Sequence, residues 1–219
     1  MAPARTCLAL VAVSAFTTFP RLPQDVDAVL ARAQRAYDAM RTLRAEFTQT
    51  LDNPMLGSPE SSHGTMYLAP PGKFAMAFSD PAGDRIVADG EWLWIYTPSS
   101  VPDQVIRQPI PAAGANTPNL FQQFVDRPRE RYVVTLVRAD TAAGERVDVV
   151  RLVPRREGMP FREAIMAVAQ RDGWPRRLSL VEESGQRREF TFRDIMVNVE
   201  IPARDLRFTV PRGARVVTP

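Results

Sequence analysis

The chain reads as a mainly β protein with a few helices, of the α+β class. Three observations carry that reading. Most of its 219 residues alternate apolar and polar side chains with a period of two, the mark of half-buried strands. Glycine and proline turns separate these runs at short intervals. Only two segments switch to the spacing of an amphipathic helix. Consecutive short strands joined by tight turns form an antiparallel meander, in an open sheet or a barrel.

The N-terminus comes first. Met1–Phe19 holds one early charge, Arg5, followed by an uncharged apolar run. This is the layout of a secretory leader, with small residues at Val13-Ser14-Ala15 and Ala15 as the expected last leader residue. The alternatives are an uncleaved apolar anchor or a disordered tail. The single cysteine, Cys7, stands at the front of the run, whereas a lipidation signal needs it at the end. Residues 1–15 are therefore expected to be removed, leaving one domain over 24–219 with no cysteine. No later run is long and apolar enough for a membrane helix, and the processed chain is expected to be soluble and periplasmic.

After a spacer, Pro20-Arg21-Leu22-Pro23, Asp25 is placed to cap a helix over about Val26–Met40. Its apolar stripe is Val26, Val29, Leu30, Ala33, Tyr37 and Met40, which must cover something. Strands are then expected around Leu43–Leu51, Gly64–Ala69, Lys73–Phe78, Arg85–Ala88, Glu91–Tyr96 and Gln104–Gln108. Asp52–Ser62 reads as turn, and Asp89-Gly90 is a strong hairpin signal. Asn116-Thr117-Pro118 reads as the start of a short helix, with Leu120, Phe121, Phe124 and Val125 as its apolar face. The rest reads as strand: Tyr132–Arg138, Arg146–Val153, Phe161–Gln170, Pro175–Glu182, Gln186–Val199 and Arg207–Val210. No repeat and no domain boundary interrupts it.

Composition sets bounds on function. At 45% hydrophobic and 24% charged, this is an ordinary globular chain. A domain of this length buries roughly 70% of its unfolded surface. The net charge of +3 includes the pairs Arg155-Arg156, Arg176-Arg177 and Arg187-Arg188. Neighbouring glutamates dilute them, so no nucleic acid partner is expected. The one histidine, His63, lies in Ser61-Ser62-His63-Gly64, without the elbow that a serine nucleophile needs. One histidine and no mature cysteine make a poor zinc donor set. No phosphate-binding glycine loop is present, and Glu182-Glu183 points to opposite faces. The sequence therefore predicts no catalytic residues, no metal and no cofactor.

What the chain does carry is an excess of large, soft apolar side chains at alternating strand positions. These are Phe47, Met66, Leu68, Phe74, Met76, Phe78, Trp92, Trp94, Tyr96, Phe190 and Phe192. Thioethers and rings line adaptable binding surfaces, and they also fill ordinary cores. Both readings are open at this level.

Several short motifs follow one another in a telling order: Phe47-Thr48-Gln49, Gly64-x-Met66-x-Leu68, Pro71-Gly72-Lys73-Phe74, Asp80-Pro81, Ile86-Val87-Ala88-Asp89-Gly90, Leu93-Trp94-Ile95-Tyr96, Asn116-Thr117-Pro118 and Phe208-Thr209-Val210-Pro211-x-Gly213. Together they resemble LolA, the periplasmic outer-membrane lipoprotein carrier family, from about Asp25 to Val217. The resemblance implies a half-open antiparallel β-barrel enclosing a hydrophobic cavity, with short helices as a lid. It implies acylated lipoproteins as cargo, an inner-membrane ATP-driven lipoprotein-releasing transporter as donor and an outer-membrane receptor as acceptor. It implies a pocket at Phe74, Met76 and Trp94, and the eleven apolar residues above are together the expected acyl-chain-binding set. Pro118, Leu120, Phe121, Phe124 and Val125 would form the lid of a non-enzymatic, monomeric carrier. The pattern departs at Pro70, where the family often has an arginine that holds the lid. Arg85 and Arg107 are candidate substitutes, or apolar contact alone serves. A lipoprotein-sensing regulator or receptor on the same scaffold, and a lipid-acting β-barrel enzyme, are the competing functional readings.

Overall fold

The computed structural model describes residues 25–55, 57–110 and 119–219. The expected leader, the Pro20–Pro23 spacer and the Asn116-Thr117-Pro118 helix start lie outside them. Among the described residues, one sheet of twelve strands holds half of them, in the order β12-β6-β5-β4-β3-β2-β1-β11-β10-β9-β8-β7.

The first helix, α1, spans Val26–Asp38, and the Asp25 carboxylate accepts from the Asp27 amide at its N-terminus. Val29, Leu30 and Ala33 are its buried residues. The period then changes to two, and β1 (Leu43–Asp52) becomes the spine of the sheet, paired with β2 (Glu60–Ala69) on one side and β11 (Arg187–Val197) on the other. One wing continues through β3 (Lys73–Asp80), β4 (Arg85–Asp89), β5 (Trp92–Tyr96) and β6 (Gln104–Pro109). The other runs from β11 through β10 (Pro175–Val181), β9 (Glu163–Ala169) and β8 (Glu145–Pro154) to β7 (Tyr132–Ala142) at the edge. All these pairings are antiparallel. Among the described residues no pairing joins the two edges, and the barrel is half-open.

Three expectations change. The segment read as turn over Asp52–Ser62 already pairs from Glu60, because Leu51 faces it across β1. Pro128–Arg131 forms a short helix, α3, that no apolar period announced. Arg207–Val210 is not a strand: a 3-10 turn at Ala203–Leu206 precedes it. Leu206 and Phe208 alternate as a strand would, but they lie on the outer face of the sheet against Ala75, Val87, Tyr67 and Trp94. The last strand is instead β12 (Arg215–Val217), parallel to β6.

Cross-strand register turns the sequence pattern into a surface. One row runs Leu43, Leu68, Phe74, Ala88 and Leu93 across five strands, and another runs Ala45, Met66, Met76, Ile86 and Ile95. On the other wing, Phe190, Leu178, Met166, Val150 and Leu136 align in the same way. All of these belong to one apolar cluster that also contains α1. Phe47 faces Gly64 on β2. A Cβ at Gly64 would strike the Phe47 ring and the Ala77 carbonyl. With glycine there, Phe47 and Phe78 meet edge to face with ring centroids 5.1 Å apart.

The connection from β6 to β7 must travel from one wing of the sheet to the far edge of the other. It carries α2 (Leu120–Val125) and α3 on this route, and the apolar face of α2 joins the inner cluster. Chain topology therefore places a short helix within the half-barrel.

Candidate functional site

The inner face is built from both wings. Phe47, Met66, Leu68, Phe74, Met76, Phe190 and Phe192 are buried in it, with Phe78 packed at its margin. Phe190 and Phe192 are nearly parallel, 6.2 Å apart. Sequence reasoning missed Tyr132, Phe161, Met166, Trp174 and Leu178, which complete the same surface from β7 to β10. Period-two alternation at Met166 was visible, but Tyr132 opens β7 and Phe161 and Trp174 lie just before β9 and β10, where periodicity says little about direction.

The helix α2 fills this face as a plug. Its N-cap is Asn119, whose side chain accepts from the Gln122 amide at 3.0 Å. Phe121 is 1% exposed, with its ring 5.0 Å from Phe192 and 5.7 Å from Trp174. Phe124 lies 5.6 Å from Tyr132 and 5.5 Å from Phe161. Val125 is buried and Leu120 partly buried against the same cluster. Pro118 lies outside the described residues.

A polar collar holds the plug. The Arg131 guanidinium donates to the Gln122 carbonyl at 3.2 Å, to the Gln123 carbonyl at 3.0 Å and to the Asp126 carbonyl. These carbonyls lie at the helix C-terminus, where a cation is favoured by the helix dipole. Gln34 on α1 accepts from the Arg127 amide at 2.8 Å. Arg127 itself adopts φ of 46° at the entry to α3. Burial pushes the Tyr37 phenol up to about 12, with the Asp126 charge acting in the same direction and a hydrogen bond with Asn119 opposing them. The phenol is thus protonated at ordinary pH. By contrast, α1 is fixed to the sheet. Arg32 pairs with the buried Asp148 at 2.5 Å and donates to the Ala169 carbonyl, while Gln170 donates to the second Asp148 oxygen at 2.7 Å.

The expected lid latches are elsewhere. Arg85 donates to the Asp205 carbonyl and Arg107 stacks over Trp92 at 4.4 Å, both on the outer side of the sheet. Arg131 makes the contacts they were expected to make, and the run Arg127-Pro128-Arg129-Glu130-Arg131 gave no signal distinguishing it from its neighbours.

Trp92, Trp94 and Tyr96 also require correction. Strand alternation put them on one face and Leu93 and Ile95 on the other, but it did not say which face was inner. Leu93 and Ile95 point inward. Trp94 stacks on Phe208 at 5.4 Å and donates its indole N–H to Asp89 at 2.8 Å. The Tyr96 hydroxyl donates to the Pro102 carbonyl. Rings with a polar handle suit this outer position, where the handle finds a partner.

His63 lies 3.2 Å from the Thr48 hydroxyl on the exposed side of β2. Its recess also holds Glu46, which pairs with Arg44 and accepts from Thr65. Among the described residues, no three His, Cys, Asp or Glu side chains are grouped to hold a metal ion. No helix among them is long and apolar enough to cross a membrane.

Fold and site together define a half-open β-barrel whose apolar interior is occupied by one of its own helices. The chain belongs to the LolA family: the model of "Outer membrane lipoprotein carrier protein LolA" matches residues 38–209. An outer-membrane lipoprotein carrier protein of Dechloromonas aromatica is 29% identical over 177 residues, covering 81% of each chain. Its counterpart in Chromohalobacter salexigens is 25% identical over 208 residues, covering 94% of this chain and 95% of that one. An uncharacterised conserved protein of Thermus thermophilus shares the fold with a TM-score of 0.56 at 15% identity, covering 90% of this chain and all of the other.

Proposed function

We propose that this protein is a periplasmic carrier that takes up the acyl chains of lipoproteins released from the inner membrane and delivers them to an outer-membrane receptor. The observation that carries the proposal is the plug. Four apolar side chains of α2 occupy a greasy inner face and are retained at their rim by a few polar contacts.

The energetics suit exchange. Burying a long acyl chain gains about 0.8 kcal/mol per methylene, on the order of ten kcal/mol in all. Displacing α2 exposes four apolar side chains at about 2 kcal/mol each, which offsets most of that gain. The remainder is small enough for cargo to leave again. An ATP-driven inner-membrane transporter loads the carrier, and a receptor with a tighter grip accepts the cargo. No cofactor or catalytic group takes part. Among the eleven candidate residues, the eight inward ones (Phe47, Met66, Leu68, Phe74, Met76, Phe78, Phe190 and Phe192) contact acyl chain, while Trp92, Trp94 and Tyr96 support the sheet from outside.

The test is binding of a synthetic triacylated lipopeptide to the full chain. Phe78→Asp, at the margin of the inner face, is expected to weaken binding at least about tenfold, the equivalent of about 1.4 kcal/mol. Phe121→Ala, which thins the plug, is expected to strengthen it. Binding unaffected by both substitutions would overturn the reading.

A further inference from the structure

The segment joining β8 to β9 folds over a second recess, of about 430 Å³. Its floor is apolar: Met159 packs on the inner cluster, and Phe161 is buried with its ring 5.5 Å from Phe124 of the plug. One ring therefore separates this recess from α2. Its walls are cationic, formed by Arg155, Arg156 and Arg162. Arg155 is oriented by its Nε, which donates to the carbonyls of Arg129 and Tyr132 at 2.9 and 3.1 Å. Arg156 and Arg162 are exposed. Two carboxylates, Glu157 and Glu183, share the lining. Three guanidinium groups against two carboxylates leave one net positive charge.

Guanidinium groups beside an apolar floor fit a molecule that is anionic at one end and greasy at the other. The volume lies within the range of small-ligand sites. The single excess charge matches a phosphodiester better than a doubly charged phosphomonoester. We propose that this recess binds the phosphodiester headgroup of an anionic amphiphile, with its chains passing Phe161 toward the interior beneath α2. The interior is the one assigned above to acyl chains, but the headgroup site requires no protein cargo. It would give the carrier a second class of ligand, single phospholipids.

The test compares three probes on the full chain by calorimetric titration. These are dihexanoyl phosphatidylglycerol below its micellar concentration, dihexanoylglycerol with the same chains and no phosphate, and inorganic phosphate. The phosphatidylglycerol is expected to bind about tenfold tighter than the dihexanoylglycerol, as charge-assisted hydrogen bonds of this kind imply. The double variant Arg156→Gln/Arg162→Gln leaves Arg155 and its backbone contacts in place. It should remove that advantage and leave dihexanoylglycerol binding unchanged. Equal affinity of the two lipids for the native protein, an unchanged phosphatidylglycerol affinity in the variant, or no binding of either lipid would each overturn the proposal. Inorganic phosphate binding as tightly as the lipid would overturn the amphiphile and leave an anion site alone. Lipopeptide binding is measured separately, so a failed headgroup site is distinguishable from a failed carrier.

Discussion

Trp94 on β5 ties its strand to two other elements through one side chain: it donates to Asp89 at the end of β4, lies opposite Val87 on β4 and stacks on Phe208 of the C-terminal segment. Truncating it removes both the ring contact and the hydrogen bond. Trp94→Ala is expected to lower stability by about 2 kcal/mol in urea denaturation, below the usual range for core aromatic truncations because the ring is only half-buried. Lipopeptide affinity should be unchanged, since the ring is on the outer face. Asp89 adds a pH signature. Burial disfavours its charged form, but the Trp92 and Glu91 amides and the Trp94 indole donate to it and together outweigh that cost. Its pKa is thus held below the ordinary carboxylate value. A group with a depressed folded pKa contributes stability above its unfolded pKa, near about 3.9, and loses it as pH falls through the folded value. Asp89→Asn should therefore be less stable than the native protein at neutral pH. The two should converge in acid below that range, as followed by thermal melts across pH.

At the scale of elements, the contrast between α1 and α2 is decisive. Helix α1 is tied to β8 and β9 by Arg32 and Asp148, the latter with its side chain 2% exposed. Removing the cation of such a pair leaves a buried carboxylate without its counter-charge, at a cost of about 3 kcal/mol, although the Gln170 amide still donates to it. Arg32→Ala should accordingly destabilise the whole fold, measured by denaturation. Helix α2, six residues long, is too short to be stable by itself and depends on Arg131 at its C-terminus. Arg131→Gln is expected to weaken that hold by about 1 kcal/mol. Lipopeptide affinity should then rise about fivefold, with a modest fall in melting temperature. A fall in affinity would show that Arg131 contacts cargo instead of closing the site.

The strands and α1 were legible because period two, period 3.6 and capping chemistry are local signals, as at Leu43–Leu51 and Asp25. The face of β5 was not, because Trp92 and Leu93 obey the alternation equally well, and only pairing with Val87 and Ala88 decides which is inner. Arg131 was illegible for a similar reason: its role depends on the carbonyls of Gln122, Gln123 and Asp126 at the end of α2, which α3 brings within reach only after folding. The C-terminal misreading arose because Leu206 and Phe208 pack across a sheet face with the spacing of residues that pack within one.

For the whole molecule, topology supplies the device. The half-barrel is split between β2–β6 and β7–β11, with β1 as the spine, and the link between the wings carries α2 into the interior. A plug so placed competes with any apolar guest for Phe192, Trp174, Tyr132 and Phe161. The central claim is that competition: acyl chains enter by displacing α2 while α1 remains docked. Hydrogen exchange with and without a saturating triacylated lipopeptide tests it most directly. Amides of Leu120–Val125 are expected to lose protection on binding while those of Val26–Asp38 keep theirs. Stoichiometric binding with protection at Leu120–Val125 unchanged or increased would contradict it.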